Sequence, residues 1–147
     1  MKAPLLRDDI VEAARGWIST PYHHQASLRG VGCDCLGLVR GVWRDLHGSE
    51  PEQPPPYTPG WAESLGTETL VAAALRHLVP VEPGEARAGD VLLFRWRDHL
   101  PAKHCAILSA TDRIIHAHDG AAVAEVALTP WWRRHLSHAF SFPGVTD

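Results

Sequence analysis

The chain reads as an α+β protein in which N-terminal helices pack on an antiparallel β-sheet of about five to six strands. Three observations point there. Apolar residues recur at helical spacing through the first half of the chain. The second half breaks into short apolar or alternating runs separated by turn residues. The 147 residues suit one hydrophobic core, so 1–147 reads as a single domain.

The elements follow in order. Residues 9–19, DIVEAARGWIS, read as a helix. Asp9 is expected to cap it, with Glu12 three residues on in a capping-box arrangement. Ile10, Ala14, Trp17 and Ile18 fall on one face, and Thr20-Pro21 stops the run. Residues 24–34 read as a polar, Gly-containing loop ending in GVGCD. From Cys35, the residues Leu38, Val39, Val42, Trp43 and Leu46 recur at helical spacing, so a second helix starts at or next to Cys35 and Gly48 ends it. SEPEQPPPYTPG, 49–60, is a Pro-rich connector. A third helix is expected over 67–79, with Leu70, Val71, Ala74, Leu75 and Leu78 as its stripe. DVLLFRW (90–96), HCAILSA (104–110), RIIHAH (113–118), AAVAEVAL (121–128) and SHAFSF (137–142) then read as an antiparallel meander. WWRRH (131–135) reads as a strand with inward tryptophans, against the alternative of an aromatic, basic docking surface.

Composition excludes several classes. The net charge of −3 supplies no basic field for nucleic acid, and no apolar run suits membrane insertion. The N-terminal residues show no apolar stretch of signal-peptide length, so synthesis in the cytoplasm is the expectation. Three cysteines do not suggest a disulfide framework, and in reducing cytosol the thiols stay free. Cys33, Cys35, His104 and Cys105 have the residue types of a zinc site, but Cys-x-Cys is tighter than structural zinc spacing. His104 and Cys105 are adjacent, so on a strand they point to opposite faces. No metal or cofactor is expected.

Cys35 is the candidate nucleophile. A thiolate at a helix start faces unpaired backbone N–H groups and the positive end of the helix dipole. The same N–H groups can hold an oxyanion. Gly37, early in that helix, would leave space for a substrate. Cys33 precedes the helix and lacks this setting. The alternative for Cys35 is a small buried core residue.

A nucleophile needs a base, and KHCAILSATDRIIHAHDG has the look of a hairpin carrying histidines. A centre at Ala110 places His104 opposite His116; a centre at Thr111 places it opposite His118. A two-residue turn would instead pair Cys105 with His116. The even registers set two imidazoles on one face, where one takes a thiol proton and the other orients it.

TPYHH (20–24), GCDCLGLV (32–39), AGDVLLF (88–94), KHCAIL (103–108) and RIIHAH (113–118), in that order, resemble the NlpC-type cysteine peptidases. These are cell-wall hydrolases with a papain-like core, and the likeness spans about residues 8–142. The resemblance implies Cys35 as nucleophile, His104 as general base and acid, and His116 as the residue orienting it, with His118 as the alternative. It implies Tyr22 near the oxyanion or substrate, and Asp34 shaping the peptide-binding end. Leu36 stands where the family usually has serine, which removes a contact to a free substrate amine. The implied reaction is cleavage of D-γ-glutamyl–diamino acid bonds in peptidoglycan stem peptides. The PPPYTPGW connector resembles peptidases encoded among phage-tail and gene-transfer-agent genes. That implies a tail component, partnered by tail hub or tip proteins, acting in the periplasm or wall of a target cell. The competing readings are a papain-like amidase or acyltransferase, and a catalytically silent structural tail subunit.

Overall fold

The computed structural model describes residues 4–51, 69–118 and 120–146. Most of the Pro-rich connector, and the start of the helix expected over 67–79, lie outside the described residues.

A two-residue strand β1 (Leu5–Leu6) leads into helix α1 (Arg7–Arg15). The helix starts earlier than the spacing predicts. Leu6 occupies the N-cap position, and Asp9 lies in the first turn, where its carboxylate accepts the Leu6 N–H at 3.1 Å. Asp9 therefore returns to the cap rather than being the cap. The helix stops at Arg15, so Trp17 and Ile18 leave from a turn. Trp17 turns inward and donates its Nε1–H to Asp45 at 3.0 Å, whereas Ile18 is exposed, contrary to the expected stripe. The Trp17 ring occupies the space a side chain at Gly41 would need, so the glycine lets this turn close on the second helix.

The expected loop contains a small hairpin, β2 (Ser27–Leu28) with β3 (Gly32–Cys33). Its turn uses Gly30 at φ +78°. Helix α2 (Cys35–His47) follows, starting at Cys35 as its spacing predicts. Gly48, at φ +87°, ends it by donating its N–H to the Arg44 carbonyl at 2.8 Å. Helix α3 (Thr69–His77) buries Leu70, Val71 and Ala74, but Leu75 faces solvent.

The six-stranded sheet has the order β4-β9-β5-β6-β7-β8. Its strands are β4 (Val79–Val81), β5 (Val91–Phe94), β6 (His104–Ala110), β7 (Arg113–His116), β8 (Ala124–Ala127) and β9 (Leu136–Ser141). All its pairings are antiparallel. Strands β5 to β8 form the expected meander. The last strand does not continue it: β9 returns to the far side of β5 and also pairs with β4. Residues 130–135 make this return possible, and they form a helix rather than a strand. Helix α4 (Pro130–His135) starts at Thr129, whose Oγ1 accepts the Trp132 N–H, with Pro130 in the first helical position. A short pair, β1 with β10 (Val145–Thr146), joins the chain ends in parallel.

The sheet is covered on both faces, which explains the near-continuous apolar runs in β5 and β6. Ile10, Ala14, Leu38 and Val42 of the helices pack with Val91, Leu93, Cys105, Ile107 and Phe140. On the opposite face Leu92, Phe94, Ala106, Leu108 and Ala139 meet Leu128 and Trp132. Alternate residues of one strand thus serve two cores. Among the described residues, no helix is long and apolar enough to cross a membrane.

Candidate active site

The site is built where α2 begins. Asp34 is the N-cap, with extended backbone, and its Oδ1 accepts the Gly37 N–H at 2.7 Å. Its Oδ2 accepts the Gln25 N–H at 2.8 Å, so one buried carboxylate ties the preceding loop to the helix start. The Leu38 N–H goes to the Asp34 carbonyl. Of the first-turn donors, that leaves the N–H groups of Cys35 and Leu36 pointing out of the helix end. Gly37 does not open a path for substrate. The Ala26 carbonyl fills the space its side chain would take, so this glycine lets loop and helix touch.

Cys35 is half-buried and lies against the core beside Cys33 and Cys105. Its thiol shares hydrogen bonds with both Cys105 and His104. The two partners do face opposite sides of the sheet. Cys105 packs in the core under the helices, and His104 packs against Phe94 and Trp132. They are the first residues of β6, so the helix start meets both around the strand end. The hydrogen bond from the Cys105 thiol holds Cys35 well below the ordinary thiol range. His104 acts in the same direction, while burial and Asp34 oppose it. Cys105 is pushed up in turn, because the proton it shares with Cys35 is held on its own sulfur and it is buried. The helix end and His104 both favour charge on Cys35, which makes Cys35 the thiolate and Cys105 the donor. Cys33 is fully buried in β3, and burial pushes its thiol up to about 12.

His104 Nε2 and His116 Nδ1 are 2.9 Å apart. In the body of the hairpin Ile107 pairs with Ile115 and Leu108 with Ile114, and the register slips only beside the turn. This register centres on Thr111, the arrangement expected to favour His118. The hydrogen bond nevertheless goes to His116, the diagonal neighbour on the same face. His118 stacks on His116, with centroids 5.5 Å apart and planes 4° from parallel. Burial, with His104 and His118 nearby, pushes His116 down to about 3. In the tautomer of neutral His116 that accepts at Nδ1, His104 donates its Nε2–H and its Nδ1 is left for the sulfur.

Tyr22 lies in the segment that pairs with the strand before Cys35. The Cys33 N–H goes to the Pro21 carbonyl and the His23 N–H to the Cys33 carbonyl, each at 3.0 Å. Leu36 is half-buried against the helix-side core. Three neighbours of the site were not read from sequence. Cys105 shares a hydrogen bond with the Cys35 sulfur. Trp132 lies 5.2 Å from the His104 ring, and Trp96 lies 5.8 Å from it, both near parallel. The signal for Trp132 was Thr129-Pro130, a helix start two residues ahead of it. Among the described residues, no three His, Cys, Asp or Glu side chains group so as to hold a metal ion.

A helix-borne cysteine meeting a histidine pair at the end of an antiparallel sheet is the papain-like arrangement. The NlpC/P60 family matches residues 19–141, and the chain belongs to that family. Among solved structures, the NlpC/p60 domain of peptidoglycan hydrolase SagA is 25% identical, with a TM-score of 0.64, over 92% of this chain and 98% of that one. An NlpC/P60 family protein from Bacillus cereus ATCC 10987 has a TM-score of 0.68 at 18% identity, covering 95% of this chain and 41% of that one. RipD from Mycobacterium tuberculosis, a non-catalytic NlpC/p60 domain protein, has a TM-score of 0.55 at 13% identity, covering 93% and 96%. These last two share the fold. No curated protein matches the chain.

Proposed function

We propose that this chain is a cysteine endopeptidase of peptidoglycan stem peptides, cutting the D-γ-glutamyl–diamino acid amide. The observation that carries this reading is the set formed by Cys35 at the start of α2 with His104 of β6 and His116 of β7. Cys35 passes its thiol proton to His104 Nδ1, and the resulting thiolate attacks the amide carbonyl. The Cys35 backbone N–H holds the oxyanion, with the Tyr22 hydroxyl as second donor. His104 protonates the leaving amine and a thioester remains. His104 then takes a proton from water, the hydroxide releases the acid, and Cys35 returns as thiolate. His116 keeps the imidazole in the required tautomer.

Purified sacculi digested with wild type and with Cys35→Ala, followed by mass analysis, test this. Wild type should release fragments ending at the γ-glutamyl carboxyl, and Cys35→Ala none. Equal release by Cys35→Ala would remove Cys35 from the mechanism. Products carrying a new acyl acceptor would favour the transferase reading.

Leu36 supports a finer assignment. An apolar side chain at this position offers no hydrogen bond to a substrate ammonium, so stem peptides still attached to glycan should be preferred over free peptides. Equal or faster cleavage of the free peptide would count against it. A role in a phage-like tail particle, with hub or tip proteins as partners, rests on the likeness of the PPPYTPGW connector. Its check is whether purified particles contain the chain.

A further inference from the structure

Trp131 is the large apolar side chain exposed on the sheet's histidine-bearing end, with 44% of its surface accessible. It is held rather than loose. Its ring stacks on His135 with centroids 3.9 Å apart, and the His135 Nδ1 is 2.7 Å from the Trp131 carbonyl oxygen. Its edge meets Trp132 at 4.9 Å. It also lies 5.9 Å from half-buried Trp96, whose own ring stacks against His104. The Lys103 ammonium sits 5.8 Å from the Trp96 centroid. An aromatic surface therefore runs outward from the imidazole, with a positive charge beside it.

The composition of this surface selects its occupant. Among the described residues, the other exposed large apolar side chains are Leu6, Ile18, Leu28, Val31, Leu75 and Val79. Aromatic rings, with Lys103 beside them, line this surface. A pyranose ring fits it. Its C–H face packs on indole, and its hydroxyl rim stays in water or bonds an indole N–H. Lys103 complements the carboxylates of an attached stem peptide.

We infer that Trp131 and Trp96 form a sugar-binding platform continuous with His104, which seats a ring of the glycan strand while the attached stem peptide lies at Cys35. The inference rests on the peptidoglycan reading above. It also gives the glycan-linked preference a second cause, separate from Leu36.

The test titrates peptide-free glycan strands of the wall into the Cys35→Ala protein, followed by calorimetry. Binding should be measurable. Adding Trp131→Ala should weaken it by about threefold to tenfold, and adding Trp131→Tyr, which keeps an aromatic face, should retain most of it. In the otherwise wild-type enzyme, Trp131→Ala should raise KM for disaccharide-linked stem peptide with little change in kcat. Absence of glycan binding by Cys35→Ala, or equal binding with Trp131→Ala, would overturn the platform. The glycan titration decides this even if no wall bond is cut, an outcome that would instead sink the peptidase reading.

Discussion

Cys105 donates to the same sulfur that His104 faces, so Cys35 has a thiol as well as an imidazole to hold its charge. Removing that donor disfavours the thiolate. In Cys105→Ala the pH midpoint of Cys35 alkylation by iodoacetamide should therefore move up, and Cys105→Ser, which keeps an O–H donor, should move it less. Each unit of upward shift slows alkylation about tenfold at pH below the midpoint. An unchanged profile would mean that the Cys105 proton does no work at Cys35. His116 has a different consequence. Its folded-state value of about 3 lies below the ordinary histidine range because the ring is buried. The stabilisation from keeping it neutral is complete above the unfolded-state value near ~6.5. It is lost as pH falls from there toward the folded value, because only the unfolded chain binds that proton. Urea denaturation between those limits should show a slope of about 1.4 kcal/mol per pH unit from this residue, absent in His116→Asn.

At the scale of the element, the start of α2 depends on one carboxylate. Asp34 accepts from Gly37 in the helix and from Gln25 in the loop. Alanine there should cost about 0.5–2 kcal/mol for the cap alone. It also leaves the Gln25 N–H without this acceptor and loosens the helix end that carries Cys35. Stability should then fall, while the alkylation rate at neutral pH should fall less than the loosened helix end alone would cause, because the Asp34 charge that opposes the thiolate is gone. Asp34→Asn, which can still cap, should lose less of both. A variant that loses stability but keeps the wild-type alkylation rate would separate the cap from the site. Gly37 belongs to the same construction: its missing side chain is what lets the Ala26 carbonyl approach.

At the scale of the molecule, Asp90 locks the helical half to the sheet. It is buried at the foot of β5, where its Oδ1 is 2.7 Å from both Arg7 Nη1 and Ser141 Oγ. Its Oδ2 accepts the Arg87 N–H at 2.8 Å. Chain segments from both ends of the sequence therefore meet at one carboxylate. Asp90→Ala leaves the Arg7 charge without this partner and should cost about 3–5 kcal/mol, read as a lower urea midpoint. A loss under about 1 kcal/mol would show the pair to be replaceable by water. Gly89, at φ +94°, sets the turn that brings this foot under the first turn of α1.

The sequence by itself determined what local forces decide. The start of α2 near Cys35 was legible because a helical apolar stripe and a terminal Gly48 lie within one short segment, while the capping role of Asp34 appeared only in the structure. Most of the sheet was legible because turn residues bound each strand. Errors came where short-range signals competed, as at α1, where Asp9 read as a cap from one position inside the first turn. Residues 131–135 were misread because the bulky tryptophans suit a strand, while Thr129-Pro130 starts a helix. Only the tertiary structure decided the rest. It turned β9 back to β5, brought Trp132 against His104, selected His116 over His118, and placed Cys105 beside Cys35. These contacts join residues far apart in sequence, and their free energy comes from burial and pairing that exist only once the sheet has closed.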